Sequence, residues 1–196
     1  MKTIQPVSPG LKFWRTVLLY GMLYVLIMFL GFVLVEPFSG GCMFIIPAYF
    51  MVLVIVLPIL TLKRFGAGTA VFIPYAVVGF FMEYYYEMVI EKSLTSIWGV
   101  VGWCLTGVLV GFSGDIAHRF LPRSMNERWR AVLIGAVTGL MFFLTTLAAL
   151  SWFYNSPSME SHYRFFTQGI YFSLPWLVVN GSFAGYTAYA VTKASI

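Results

Sequence analysis

Charged side chains are scarce in this sequence. They make up 10% of its 196 residues, whereas 60% of the residues are hydrophobic. An average soluble domain carries about 25% charged residues. A chain this short still exposes much of its surface to water, so a large soluble core cannot explain the composition. The scarcity of charge therefore excludes an ordinary water-soluble protein and indicates that lipid surrounds most of the chain.

Residues that carry metal and redox chemistry are also few. The two cysteines, Cys42 and Cys104, lie in different apolar segments and lack the spacing of a zinc site or a reliable disulfide. The sequence contains no P-loop and no cluster of metal ligands. We therefore predict no metal, no cofactor and no ATPase activity for this chain.

Long apolar stretches are abundant, and each is long enough to be a transmembrane helix, which needs about 20 mostly apolar residues. The connections between them are short, so we expect a single membrane domain, 1–196. The sequence thus predicts an all-α integral membrane protein with about six transmembrane helices. The predicted helices are 16–35, 43–62, 69–90, 96–117, 131–153 and 167–191.

The basic residues fall mainly on one side of these helices. Lys and Arg in short loops resist translocation and so mark the cytoplasmic side. With the N-terminus inside, Lys92 and Arg164 lie outside and the other basic residues lie inside, which places both termini in the cytoplasm. This distribution explains the net charge of +5 without a nucleic-acid partner and predicts a multi-pass protein of the cell membrane. The predicted cytoplasmic residues are Lys2, Lys12, Arg15, Lys63, Arg64, Arg119, Arg123, Arg128, Arg130 and Lys193.

Polar and aromatic residues gather at the predicted outer ends of the helices. Glu83 lies roughly 21 Å into a hydrocarbon core about 30 Å thick, counted from Thr69. A carboxylate at that depth is costly unless it faces a cavity or a partner, so we expect an outward-facing pocket for a small molecule. For the aromatic residues the alternative is an interfacial belt, with Glu83 hydrogen-bonded to a neighbouring helix. For Asn180 the alternative is a hydrogen bond that joins two helices. The predicted ligand-binding residues are Glu83, Tyr84, Glu87, Trp152, Asn155, Gln168 and Asn180.

Small residues spaced four apart predict close helix contacts in lipid. The pairs are Gly107 with Gly111, Gly135 with Gly139 and Gly181 with Gly185. We expect most of them to be used inside the bundle. The sixth helix continues its small face with Ala184 and Ala188, and we predict that Gly181, Gly185 and Ala188 pack on another subunit.

Two further motifs lie on the fourth predicted helix. Asp115 and Arg119, spaced i and i+4, are expected to pair. The run 111–114, GFSG, matches the G-x-S-G pattern of rhomboid proteases, but such a serine needs a histidine base. His118 lies near the foot of the same helix and His162 in an outer loop, so we expect Ser113 to be a packing residue and the chain not to be an enzyme.

Three stretches resemble the substrate-binding S components of energy-coupling factor (ECF) vitamin transporters. Residues 62–68, LKRFGAG, resemble the turn between the second and third helices of that family. Residues 107–111, GVLVG, followed by Arg119 and Pro122, resemble the fourth helix, and residues 174–181, LPWLVVNG, resemble the last. Helix 16–35 lacks alanine, whereas many S components carry an A-x-x-x-A face there for the coupling subunit.

The resemblance implies a function. Such a chain would bind a vitamin or related metabolite and dock on a transmembrane coupling subunit driven by two cytoplasmic ATPases. Two other functions stay open: a structural or assembly subunit of another membrane complex, and a cation-coupled carrier that uses Glu83. A carrier transports unaided, an S component binds without unaided turnover, and an assembly subunit does neither.

Overall fold

The computed structural model describes residues 9–30, 45–85, 89, 97–153, 163–164 and 166–194. Within these ranges the secondary structure is helical, with no β-strand, as the sequence predicts. The helices are α1 Pro9–Leu30, α2 Ile45–Leu62, α3 Ala67–Ala70, α4 Phe72–Glu83, α5 Ile97–Phe120, α6 Glu127–Phe153 and α7 Ile170–Ala194.

Three of these helices are long and apolar enough to cross a membrane: Gly10–Leu30, Val100–Phe120 and Glu127–Trp152. Large apolar side chains such as Leu19 and Phe183, 67% and 61% exposed, cover the outside of the bundle. A surface of this kind is unfavourable in water and favourable in lipid. The described residues therefore indicate a membrane protein.

The structure divides the predicted helix 69–90 into two. Helix α3 ends at Ala70, and α4 begins at Phe72. Pro74 lies in the first turn of α4 and has no N–H with which to bond the carbonyl of Ala70, so a continuous helix is interrupted at this point. Residues 86–88 and 90, like residues 31–35 of the first predicted helix, lie outside the described part of the chain.

Helices α6 and α7 form the most extensive contact of the bundle. A Cβ atom added to Gly135 would collide with the carbonyl oxygen of Gly181, and one added to Gly185 with that of Ala131. Gly139 meets the backbone of Leu177 in the same way. The two glycine pairs of the sequence therefore pack against each other and bring two backbones into direct contact.

One end of the bundle carries most of the described basic residues. Three guanidinium groups lie over aromatic rings from other parts of the chain, at 4.8–5.5 Å from the ring centroids. These pairs join the start of α1 to the end of α2, the α2–α3 turn to the end of α5, and the start of α6 to α7. We call this the basic end. The pairs are Arg64 with Phe13, Arg119 with Phe65, and Arg128 with Tyr186.

Candidate functional site

A small cavity lies among α1, α4, α5 and α6, and we call it the hydroxyl cavity. Its volume is about 20 Å³, enough for about one water molecule or one polar atom of a ligand. The described lining carries hydroxyl groups but no charged side chain, so the cavity suits a neutral hydrogen-bonding group. Its hydroxyl-bearing residues are Tyr24, Tyr75, Thr106, Thr145 and Thr146.

Aromatic packing fixes the two tyrosines of this cavity. Tyr24 contacts Phe72 and Tyr75 edge to face, with ring centroids 4.7 and 5.2 Å apart. The ring of Phe72 fits there because Gly107 has no side chain: a Cβ at Gly107 would lie 2.5 Å from Cδ1 of Phe72. Gly107 therefore admits the ring that holds Tyr24 and Tyr75 in place.

Two of the three threonines of the cavity, Thr145 and Thr146, lie on α6, and the third, Thr106, lies on α5. Thr145 is 6% exposed and Thr146 is 3% exposed. The hydroxyl of Thr145 donates to the carbonyl oxygens of Met141 at 2.8 Å and Phe142 at 3.3 Å. Thr145 thus satisfies its donor within its own helix and leaves its remaining lone pair as an acceptor.

The cavity lies in the half of the bundle away from the basic end. Thr146 precedes Trp152 by six residues, or roughly 9 Å of helix, whereas it follows Glu127 by roughly 28 Å. The cavity is therefore close to the end for which the sequence predicts a ligand site.

The predicted ligand residues whose side chains the structure describes do not line this cavity. Trp152 is 77% exposed, Tyr84 is 40% exposed and stacks on Phe80, and Gln168 is exposed. Asn180 is half-buried on α7.

Other parts of that predicted site lie outside the described residues. Glu83 is the last residue of α4, but its side chain is outside the described part, as are Glu87 and Asn155. The contacts of the predicted acidic groups therefore lie outside the described part of the chain. Among the described residues, Tyr84, Trp152 and Gln168 do not line a common pocket.

The predicted docking face on the last helix lies inside the chain. Gly181, Gly185 and Ala188 are buried, and the two glycines meet the backbone of α6. The structure therefore covers this face with α6 rather than leaving it on the surface for another subunit.

Asp115 is the one buried charged residue in the described ranges, with 1% of its surface exposed. Its carboxylate accepts hydrogen bonds from the backbone N–H groups of Gly68 at 3.0 Å and Thr69 at 2.8 Å, and from the Thr69 hydroxyl at 2.6 Å. These bonds hold the first turn of α3, where Gly66 takes a left-handed φ of 89°. Asp115 bonds this turn instead of the expected Arg119, which lies over Phe65.

The GFSG run has a packing explanation at each of its small residues. A Cβ at Gly111 would lie 2.5 Å from the carbonyl oxygen of Gly68, and one at Gly114 would lie 2.9 Å from Oγ1 of Thr138. The hydroxyl of Ser113 donates to the carbonyl oxygen of Val110 at 2.7 Å. The small residues of the motif thus serve helix contacts in this structure.

Sequence reasoning missed the hydroxyl cavity. Tyr24, Thr106, Thr145 and Thr146 each occur singly or in pairs within apolar helices, where a hydroxyl is usually bonded to its own helix or to a neighbour. The only available signal was their occurrence at mid-membrane depth on separate helices.

Comparison of the chain with protein-family models, curated proteins and solved structures finds no match.

Proposed function

We propose that this chain is the small-molecule-binding membrane subunit of an ECF-type importer and that its ligand is a vitamin or related metabolite. The observation that carries the proposal is the hydroxyl cavity, a small site with hydroxyl groups and no charged side chain in its described lining, formed by four helices within an apolar bundle. Neutral hydrogen-bonding groups aimed into a mostly apolar enclosure are typical of small-molecule sites.

The proposed topology has six spans and two cytoplasmic ends, in the cell membrane. It is supported by the basic end, where the starts of α1 and α6 meet the ends of α2, α5 and α7. Helices that alternate in direction place those termini together. The bias of Lys and Arg toward this end favours the cytoplasm as its location.

In this proposal the ligand enters from the opposite end and places one polar group in the hydroxyl cavity. The volume of about 20 Å³ accommodates a single polar atom, so the rest of the ligand lies outside this cavity, on the side of the bundle away from the basic end. An uncharged lining favours a carbonyl, a hydroxyl or a ring nitrogen over a cation at the deep point.

The transmembrane coupling subunit then docks on a face that the chain itself leaves open. Gly181 and Gly185 are covered by α6, whereas α1 exposes Leu18, Leu19 and Leu26 along its length. We place the coupling subunit against this face of α1, with the cytoplasmic ATPases below it.

The experiment is purification of the full chain, identification of the retained small molecule by mass spectrometry, and titration of that molecule. Thr146→Val should weaken binding roughly 2- to 10-fold, the effect of losing one neutral hydrogen bond. Thr138→Val is the matched control: Thr138 is buried on the same helix, but its hydroxyl donates to Ile134 at 2.8 Å, away from the cavity.

Three outcomes would contradict the proposal. Retention of no small molecule by the wild-type chain would favour an assembly subunit. Transport by the purified chain alone in liposomes would favour the cation-coupled carrier. Equal weakening in Thr138→Val and Thr146→Val would remove the hydroxyl cavity from the site.

A further inference from the structure

A second and larger cavity opens at the basic end, and we call it the basic cavity. Its volume is about 440 Å³, within the range of small-molecule sites. Residues from α1, α5, α6, α7 and the end of α2 line it. Its titratable residues include Lys12, Lys63, His118, Glu127, Arg130 and Lys193.

Positive charge dominates this lining. Four cations face one carboxylate, which gives the named lining a net charge of +3 with His118 neutral. The carboxylate of Glu127 is already paired, with its Oε2 at 2.9 Å from Nζ of Lys193. Lys12, Lys63 and Arg130 therefore form an excess of positive charge around one concave space, which favours an anion.

Two nitrogen atoms of the lining are shielded from solvent and lack a hydrogen-bond partner among the described residues: Nδ1 of His118 and Nε of Arg130. Arg130 already donates from Nη2 to the carbonyl oxygen of His118, so its guanidinium is fixed in position. An Nε–H group is a donor that cannot become an acceptor. The guanidinium is thus held in the wall of the cavity beside the uncompensated lysines, and its positive charge adds to theirs.

The rest of the wall carries two threonines, Thr61 and Thr192, and is otherwise apolar or aromatic. Tyr20, Leu57 and Leu60 line the cavity together with the cations. A free inorganic ion needs no such surface, whereas the glycerol and first methylenes of a phospholipid do. Basic pockets between membrane helices are suited to anionic lipid headgroups.

We infer that the basic cavity binds a phosphate group that carries net negative charge, with Arg130, Lys12 and Lys63 as its cationic contacts. The apolar wall favours an anionic phospholipid as the source. A free phosphate shares the same chemistry, and the test below distinguishes the two sources. The inference does not depend on the proposed import function.

The test uses the full chain, delipidated in a neutral detergent and titrated separately with short-chain phosphatidylglycerol, short-chain phosphatidylcholine and inorganic phosphate. Native mass spectrometry measures bound molecules, and thermal unfolding measures stabilisation. We expect phosphatidylglycerol to bind more tightly than phosphatidylcholine. Arg130→Gln and Lys12→Gln should each weaken it by roughly 10-fold or more, as for loss of a charge-assisted hydrogen bond. Arg123→Gln is the matched control because Arg123 is an exposed cation of the nearby α5–α6 loop that does not line the cavity.

The titrations distinguish a lipid headgroup from free phosphate as the bound group. Competition by inorganic phosphate at concentrations similar to the lipid would assign the site to free phosphate, and absence of competition would assign it to the headgroup. Equal binding of the two lipids, equal weakening by Arg123→Gln, or no binding of any of the three probes would overturn the inference. If Arg130→Gln does not fold, Lys12→Gln still decides, because Lys12 lies on an exposed turn of α1.

Discussion

The α6–α7 contact and the α3–α5 contact hold neighbouring helices together by different physics. Between α6 and α7, glycines at both surfaces let the two backbones touch, so the contact depends on the absence of side-chain atoms. Between α3 and α5, the carboxylate of Asp115 accepts hydrogen bonds from Gly68 and Thr69, so the contact depends on the presence of one charged group.

The difference teaches which change each contact tolerates. In lipid, helices gain little from burying apolar area against each other and associate through close packing and polar contacts. The glycine contact should tolerate no added atom, and the Asp115 contact should tolerate no loss of acceptors. Substitutions that add volume at one site and remove hydrogen bonds at the other therefore test the comparison directly.

The largest effect is expected at the glycine contact. Gly181→Ala places a Cβ onto the carbonyl oxygen of Gly135, and a backbone atom cannot rotate away as a side chain can. We expect destabilisation of about 3 kcal/mol or more, the upper end for overpacking, measured by thermal unfolding in detergent. Gly10→Ala on α1 is the control because nothing lies within 4 Å of its added Cβ. Equal stability of the two variants would show that α6 and α7 do not touch as described.

The next largest effect is expected at Asp115. Asp115→Ala leaves the N–H groups of Gly68 and Thr69 without their acceptor in a buried site, which should cost about 3 kcal/mol of unfolding free energy. Asp115→Asn keeps the shape and one acceptor oxygen, so it should cost less. The same unfolding measurement compares the two. If Asp115→Ala and Asp115→Asn lower the unfolding free energy equally, the carboxylate acts through its negative charge rather than through the number of hydrogen bonds that it accepts.

A smaller effect is expected at the hydroxyl that completes the same contact. Thr69→Val removes the bond of 2.6 Å from Oγ1 to the Asp115 carboxylate but keeps the backbone bond, so we expect a loss of about 1.5 kcal/mol, the lower end for a hydrogen bond to a charged group. Thr69→Ser keeps the hydroxyl and is the control. The loss should vanish when Thr69→Val is made in the Asp115→Ala background; a loss that persists there would assign Thr69 a role independent of Asp115.

The smallest effect is expected for the ion pair of Lys193 and Glu127. Both side chains are more than half exposed, at 52% and 59%, and such pairs often contribute nothing measurable. Lys193→Gln should leave the unfolding midpoint unchanged at moderate salt. A drop as large as that of Thr69→Val would show that charge at this end holds the bundle together.

The sequence predicted the all-α class because apolar length and composition are properties of each segment alone. The same local reasoning failed at Asp115, whose hydrogen-bond partners lie 46 and 47 residues away rather than at Arg119, one turn along the helix. Spacing identified the small residues of α6 and α7, but only the folded chain shows that they meet each other and leave no free face.

The candidate site was harder to predict for a similar reason. Glu83 stands out in a sequence because a buried carboxylate is costly wherever its helix lies. Tyr24 and Thr146 carry no such cost, and nothing in their own segments indicates that α1 and α6 bring them to one cavity. Convergence of neutral hydroxyls is a property of tertiary structure, whereas the cost of a charge can be seen from a single helix.

The stacking of Arg64, Arg119 and Arg128 on aromatic rings has a consequence for how the protein sits in membranes of different thickness. Guanidinium groups favour the headgroup region, and here each one is held against a ring of the bundle, which limits its movement relative to the helices. The basic end is thereby anchored. We expect hydrophobic mismatch then to be absorbed by tilt, by a local change of bilayer thickness or by movement at the opposite end, where Trp152 lies and where the proposed ligand enters. Bilayer thickness thus becomes a variable that should alter ligand entry without changing any residue of the site.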